Sequence, residues 1–192
     1  MKNATARILL KLSGEMLLGN SPFGIHAEAV LRLAEHLKDI LNSGHELGIV
    51  IGGGNIFRGL SLQQLGIERT PADQMGMLSG LINAMALTDI FESNGVPTRC
   101  LSNIYAEQVA ENFSFRLAEK HLQSGRVVIV AGGIGRPYST HDSAAVLVGL
   151  ELDCEVVLKS TKVDGIYDKD PNEFDDAVKY DQLSYQEAVE NA

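Results

Sequence analysis

The sequence lacks long hydrophobic runs. No segment of its 192 residues approaches the roughly 20 consecutive apolar residues that a membrane-spanning helix requires. The apolar stretch near the start, within MKNATARILLKLSGE, is short and contains charged residues, so it does not have the pattern of a secretion signal. We therefore expect a cytoplasmic protein that has no membrane partner.

Cysteines are few and basic clusters are absent. Cys100 and Cys154 lie in apolar, strand-like runs without CxxC spacing, which disfavours disulfide and metal roles and predicts buried thiols. Lys and Arg number 16 against 25 Asp and Glu, a formal net charge of −9, and the basic residues do not cluster. A nucleic-acid partner is therefore disfavoured.

The chain also has no internal repeat, low-complexity tract or Pro/Ser-rich linker. Its composition, 45% hydrophobic and 21% charged, is ordinary for a globular protein, which excludes disorder and collagen-like repeats. A chain of this length can bury one substantial core. We therefore predict a single domain over residues 1–192.

Short apolar runs alternate with segments of helical period, which predicts an α/β fold with a mainly parallel sheet. The predicted strands are residues 7–12, 46–51, 97–102, 126–131 and 154–160. The predicted helices are residues 26–43, 71–93, 113–123 and 142–152, and the start of another lies in residues 184–192.

Glycine-rich loops follow three of the predicted strands, at Ser13 and Gly14, at residues 52–54 and at residues 132–135. Ligands of parallel α/β sheets bind beyond the carboxyl ends of the strands, and glycine there lets backbone N–H groups approach a phosphate. Each loop alone could simply be a turn. Three at one edge favour phosphate binding, although the P-loop, GxGxxG and protein-kinase motifs are absent.

Four cations follow or end these strands: Lys11, Arg58, Lys159 and Lys162. Lys11 interrupts a strand that is expected to be buried, and an ammonium buried without a partner is costly, so we infer an anionic partner for it. The alternative is a lysine at a strand end that reaches water. Asp142 follows the third glycine-rich loop and opens a helix, where capping is the simpler explanation.

Five segments together resemble the bacterial uridylate (UMP) kinase family, which has the amino-acid-kinase fold. They are RILLKLSGE, VIGGGNIFRG, DQMGM, VVIVAGGIGRPYSTHDSAA and VVLKSTKVDGIYDKDP. The resemblance implies a three-layer αβα sandwich with a mainly parallel central sheet. Because family members continue beyond the position of residue 192, it also implies a chain truncated at its C-terminus, whose sheet exposes an edge.

The resemblance implies phosphorylation of UMP to UDP by ATP with Mg²⁺, in pyrimidine nucleotide biosynthesis. Lys11 and Asp142 would be catalytic, Lys11 stabilising charge and Asp142 orienting the lysines or the metal-bound phosphates. The ATP-binding residues would be Lys11, Leu12, Ser13, Gly14, Gly54, Arg58, Thr161, Tyr167 and Asp170. The UMP-binding residues would be Gly53, Asp73, Ile134, Gly135, Arg136, Pro137, Tyr138, Ser139, Thr140 and His141. No residue is assigned as a direct metal ligand.

Some of these residues have simpler explanations. VDGIYDKDP, which contains Tyr167 and Asp170, also has the pattern of an exposed turn, and Lys159 and Lys162 are weaker phosphate contacts. His141 stands where the family usually has a small hydroxyl residue, so it could add a pH-dependent anion contact.

The resemblance also implies a homohexamer with GTP as activator and UTP as inhibitor. The segment from Gly19 to Ile25 is a candidate effector region, and the apolar helix over residues 71–93 is a candidate subunit interface. Two alternatives remain open. One is an inactive or regulatory nucleotide- or oxyanion-binding protein of this fold, and the other is a carboxylate kinase, whose substrate Asp73 would repel.

Overall fold

The computed structural model describes residues 6–57 and 65–190, so Arg58 lies outside the described residues. Its strands are β1 (Arg7–Leu12), β2 (Glu46–Ile51), β3 (Thr98–Ser102), β4 (Glu111–Asn112), β5 (Val127–Ala131), β6 (Val156–Lys159), β7 (Ile166–Tyr167) and β8 (Lys179–Tyr180). Its helices are α1 (Ala27–Asn42), α2 (Arg69–Ser93), α3 (Phe115–Gln123), α4 (His141–Glu151) and α5 (Tyr185–Glu190). A short 3₁₀ helix, Gly14–Leu17, follows β1.

Six strands form one sheet in the order β4-β3-β5-β2-β1-β6, and every neighbouring pair is parallel. The central strands are apolar and buried; all five residues of β5 are buried. A parallel strand covered on both faces requires this continuous apolar sequence. The predicted α/β fold with a parallel sheet is confirmed, and the carboxyl ends of all six strands lie at one edge.

Helices cover both faces of the sheet. On one face, Ile49 and Ile51 of β2 pack in a core that includes Val30 of α1 and Leu87 of α2. On the other face, Val50 packs in a second core together with residues of α3 and α4. Because alternate strand residues point to opposite faces, one strand contributes to both cores. The predicted three-layer αβα arrangement is therefore confirmed.

The edge strand β6 differs from the interior strands. Val156, Val157 and Leu158 are 39–47% exposed, and β6 is the last strand of the sheet in the part of the chain that the structure describes, paired there with β1. The exposed apolar edge predicted from the sequence is therefore present. Cys154 lies before this strand rather than in it and is only half-buried, so its predicted full burial is wrong. Partial burial raises the pKa of the Cys154 thiol to about 11 and that of buried Cys100 to about 12.

By their internal contacts, Met1–Ser160 and Thr161–Ala192 form two compact units. In the second unit β7 and β8 pair antiparallel, Ile166 with Tyr180 and Tyr167 with Lys179. The single domain over residues 1–192 stays a prediction. In the part of the chain that the structure describes, no helix is long and apolar enough to cross a membrane.

Candidate active site

Two lysines stand side by side at the carboxyl edge of the sheet. Lys11 of β1 and Lys159 of β6 are partners in the parallel register of these strands. Residues paired in this way project from the same face of a sheet. The register therefore brings together two cations that are far apart in the sequence, in a protein whose net charge is −9.

Both lysines contact the carboxylate of Asp142, in the first turn of α4. The Lys11 Nζ atom lies 2.8 Å from Oδ1, and Lys159 Nζ donates to Oδ2 at 2.9 Å. Oδ1 is buried and has no aligned hydrogen-bond donor among the described residues, so the Lys11 contact is an ion pair. Burial raises the pKa of Asp142, but the two lysines outweigh it and lower the pKa overall. Two ammonium groups against one carboxylate leave an excess positive charge.

Glycine is required where the loops after β1 and β2 meet. A Cβ atom on Gly14 would lie 2.4 Å from Asn55 Oδ1 and 2.6 Å from the carbonyl oxygen of Gly52. A Cβ atom on Gly53 would lie 2.4 Å from Cβ of Ser79 and 2.8 Å from the carbonyl oxygen of Gly76 on α2. Any side chain would separate these segments, so the two predicted phosphate loops are packed against each other and against α2.

A buried pair of amides, which the sequence analysis missed, fixes the second of these loops. Asn55 and Asn83 exchange side-chain hydrogen bonds at 2.7 and 2.9 Å. Asn83 Nδ2 also donates to the Gly52 carbonyl oxygen at 2.7 Å, and Asn55 Nδ2 donates to that of Gly24 at 2.9 Å. The only available signal was an asparagine inside the apolar pattern of α2.

A cavity of about 570 Å³ opens beside these loops. The predicted UMP-binding residues that line it are Gly53, Asp73, Ile134, Arg136, Ser139, Thr140 and His141. Gly54, predicted for ATP, also lines it, whereas Gly135, Pro137 and Tyr138 belong to the same loop without being lining residues. Its volume suits a small ligand.

Asp73 is held by two neighbours. Arg69 Nε donates to both of its carboxylate oxygens at 2.8 Å, and the backbone N–H of Tyr138 donates to Oδ2 at 2.8 Å. Burial raises the pKa of Asp73, but the Tyr138 N–H and the Arg69 guanidinium outweigh it and lower the pKa overall. Asp73 is therefore ionised and acts as an acceptor. Arg69 carries no motif by which the sequence could have marked it as a site residue.

His141, the first residue of α4, occupies the inner wall of the cavity. A Cβ atom on Gly80 would lie 3.2 Å from its Nε2 atom, and one on Gly133 would lie 3.9 Å from it. Nε2 is buried and has no hydrogen-bond partner among the described residues. Burial lowers the pKa of His141, the charge of Lys11 lowers it further, and Asp142 opposes them. The ring is therefore neutral at neutral pH.

The remaining predicted residues fall in two places. Leu12 ends β1 and is buried, and Ser13 caps the 3₁₀ helix by accepting the Glu15 N–H at 3.3 Å. Thr161, Tyr167 and Asp170 belong to the second unit. There the Thr161 hydroxyl donates to the Val163 carbonyl, the Tyr167 hydroxyl donates to Asp164, and Asp170 accepts from the Asn172 N–H at 2.9 Å. The turn formers in VDGIYDKDP thus flank a short strand, β7.

The fold and the site define a phosphate-binding α/β protein without a P-loop. The model of the amino acid kinase family matches residues 6–192. The uridylate kinase of Dichelobacter nodosus is 50% identical over 183 residues, which are 95% of this chain and 76% of that protein. The uridylate kinase of Rickettsia typhi is 45% identical over 185 residues, 96% of this chain and 76% of the relative.

Solved structures agree with these relatives. The UMP kinase of Bacillus anthracis is similar with a TM-score of 0.93 and 33% identity, over 98% of this chain and 78% of that one. The UMP kinase of Ureaplasma parvum gives a TM-score of 0.92 and 32% identity, over 98% of this chain and 80% of that one. The chain belongs to the amino acid kinase family and, within it, to the uridylate kinases.

Proposed function

We propose that this chain transfers the γ-phosphoryl group of ATP to the phosphate of UMP, which gives ADP and UDP. One observation carries the proposal: Lys11 and Lys159 converge on Asp142 at the sheet edge, next to the cavity that Asp73 and His141 line. A phosphoryl donor and acceptor each bring negative charge, and this edge supplies a net positive charge to receive it. The named activity of the relatives supports the same reaction.

The side chains act by position and charge. The Lys11 side chain is only 14% exposed and Lys159 is 55% exposed, so the field of Lys11 is screened less by water. We assign Lys11 to the transferring phosphoryl group and Lys159 to an outer phosphate oxygen. Asp142 holds both ammonium groups in place and takes no proton, since its low pKa makes it a poor base. The transfer is in line and needs no covalent intermediate.

The residues of this site fit Mg²⁺ that is bound to the phosphates of the nucleotide. Among the described residues, no three His, Cys, Asp or Glu side chains converge as a metal cage. Mg²⁺ is commonly held by one or two carboxylates together with substrate phosphates, and Asp142 is the carboxylate that stands beside the two lysines of this site. We therefore propose that Mg²⁺ arrives with ATP and that Asp142 would help to orient the metal-bound phosphates. When bound, it neutralises charge on the phosphates.

The cavity favours a nucleotide acceptor over an amino acid. Asp73 is ionised and would repel a substrate carboxylate, whereas it accepts hydrogen bonds from ribose hydroxyls. Arg136 lines the same cavity and supplies a cation for the UMP phosphate. We propose Leu12, Ser13, Gly14 and Gly54 for the ATP phosphates and Thr161, Tyr167 and Asp170 for its base and ribose. Arg58 keeps its proposed phosphate role.

The test is Mg²⁺-dependent ADP formation with UMP, CMP, AMP and GMP offered separately. We expect turnover confined to UMP, and loss of turnover in Lys11→Met. Binding of ATP and UMP without product would favour the regulatory alternative. Phosphorylation of an amino acid or of carbamate would favour the carboxylate-kinase alternative.

We further propose a homohexamer that GTP activates and UTP inhibits, with effectors near residues 19–25. Support comes from α2, where Leu78, Ile82 and Met85 are 52%, 49% and 38% exposed at helical spacing. Light scattering of wild type and Ile82→Lys tests the assembly, because a charge on a buried interface would dissociate it. Initial rates with added GTP or UTP test the effectors. A cytoplasmic location stays a prediction.

A further inference from the structure

Arg69 stands at an unfavourable place for helix stability. It is the first residue of α2, where the positive end of the helix dipole disfavours a cation. Its partner Asp73 lies four residues later, the less favourable order for a charge pair on a helix. Local helix energetics therefore do not explain why an arginine occupies this position.

The contacts of Arg69 point to the cavity instead. Its guanidinium lies over the Tyr138 ring, 5.4 Å from the ring centre, while Nε contacts both oxygens of Asp73. Tyr138 in turn donates its backbone N–H to Asp73 Oδ2 at 2.8 Å. Arg69, Asp73 and Tyr138 thus form a closed set of three contacts, hereafter the clasp. It joins the start of α2 to the loop after β5.

The backbone of Tyr138 shows that the clasp constrains this loop. Its φ angle is 61°, in the left-handed region that residues with a Cβ atom rarely adopt. Such a conformation persists where surrounding contacts hold it. Tyr138 is 70% exposed, so burial in the core does not hold its backbone in this conformation. The contacts to Arg69 and Asp73 hold the backbone of Tyr138 in this conformation.

We propose that Arg69 is a positioning residue for the acceptor nucleotide, which aims the Asp73 carboxylate at the ribose and fixes the loop of residues 134–141 beside it. This inference rests on the proposed function. Among the residues that the structure describes, Oδ2 accepts from both Arg69 and Tyr138, whereas Oδ1 accepts from Arg69 alone. A carboxylate oxygen accepts about two hydrogen bonds, so Oδ1 keeps an open position for a ribose hydroxyl.

The geometry makes the clasp specific for arginine. The guanidinium is planar, so it can bridge two carboxylate oxygens and lie over a ring at the same time. A lysine would keep the charge but has a single ammonium group, which cannot both contact the carboxylate and lie over the Tyr138 ring as the arginine does. Arg69→Lys should therefore position the Asp73 carboxylate only in part, and Arg69→Met should not position it at all.

The test compares wild type, Arg69→Met, Arg69→Lys and Arg32→Met. Arg32 is a matched control, since it also forms an exposed ion pair with a residue four positions away, Glu28, on α1. Steady-state kinetics give kcat and KM for UMP and for ATP, and the ratio of kcat/KM for UMP over 2′-deoxy-UMP. Unfolding midpoints check that each variant folds.

We expect Arg69→Met to raise KM for UMP about tenfold or more, the loss of one charge-assisted contact that aims Asp73. KM for ATP should stay unchanged and the UMP over deoxy-UMP ratio should fall. The KM for UMP of Arg69→Lys should lie between those of wild type and Arg69→Met, and Arg32→Met should have the wild-type KM. The preserved KM for ATP separates positioning from general destabilisation.

Two results would overturn the inference. One is an Arg69→Met enzyme with wild-type KM for UMP and a wild-type ratio of kcat/KM for UMP over 2′-deoxy-UMP. This result would show that the clasp does not position the acceptor nucleotide, and it would leave the proposed function unaffected. The other is an equal rise of both KM values, which would make Arg69 merely structural. Absence of UMP phosphorylation by wild type would overturn the proposed function and this inference together.

Discussion

Two carboxylates of the site, Asp142 and Asp73, are held in contrasting ways. Asp142 lies between two lysines that come from neighbouring strands, at 2.8 and 2.9 Å. Asp73 lies between an arginine one helical turn away and a backbone N–H, all at 2.8 Å. Their partners lower the pKa of both groups. The partners of Asp142 are therefore positioned by the sheet, and the partners of Asp73 by one helix and one loop.

This difference separates the two tasks of the site. Sites built on strands are positioned more precisely than sites on loops, and strand register places the two lysines that must meet a transferring phosphoryl group. The acceptor side is built from the start of α2 and the glycine-rich loop after β5, which the clasp joins. Substitutions among the residues placed by the sheet should lower kcat, and substitutions on the acceptor side should raise KM for UMP.

The largest effect should come from Lys11→Met, which keeps the length of the side chain and removes its charge. We expect kcat to fall by about a hundredfold to a thousandfold, the usual cost of removing one group that stabilises transition-state charge. Initial rates at saturating ATP and UMP measure it. Lys120→Met, on the exposed side of α3, is the control and should keep wild-type kcat. A changed KM with an unchanged kcat would contradict the assignment of Lys11 to the transferring phosphoryl group.

Asp142→Asn should have the next largest effect. It removes the negative charge between Lys11 and Lys159 and leaves two ammonium groups facing each other. We expect kcat to fall about tenfold to a hundredfold, since the lysines remain but lose their orientation. The same assay measures it, with the exposed Asp39→Asn as control. Wild-type kcat in Asp142→Asn would show that the lysines need no partner.

A smaller and different effect is expected from Asp73→Asn. The amide keeps the shape of the side chain but offers one acceptor oxygen in place of two, so the contact to ribose weakens. We expect KM for UMP to rise about tenfold while KM for ATP and kcat stay near wild type. Steady-state kinetics with each substrate varied in turn measure it. A fall in kcat alone would move Asp73 to the phosphoryl-transfer side of the site.

The succession of strands and helices along the chain was predictable from the sequence, because apolar β-branched runs and three- to four-residue spacing encode these elements locally. β1 and β2 have the predicted bounds, and the predicted bounds of α1 and α4 differ from the observed ones by one residue at each end. The pairing of Lys11 with Lys159 was not predictable, because register depends on the packing of two distant strands.

The clasp shows the same limit at the level of side chains. The Arg69 and Asp73 spacing is visible in the sequence, but the third member, Tyr138, is 65 residues away from Asp73. Its unusual φ angle has no sequence signal, because positive φ is expected at glycine or asparagine. The buried Asn55 and Asn83 pair was missed for a related reason: two polar residues in apolar surroundings gain meaning only when they face each other.

The smallest expected effect concerns His141, which lines the cavity and whose pKa responds to the charges of Lys11 and Asp142. Burial and the charge of Lys11 lower its pKa below 6.5, so the unfolded chain binds a proton more readily than the folded one. His141 therefore costs no stability above about pH 7, and the free energy of unfolding should decline as the pH falls through 6.5 towards the folded pKa. Denaturant titrations at about pH 7.5 and about pH 5.5 on wild type and His141→Asn measure this loss. His121 also has a lowered pKa, so only the difference between the two proteins isolates His141. Equal losses in both proteins would mean that folding does not lower the pKa of His141, which would contradict this prediction.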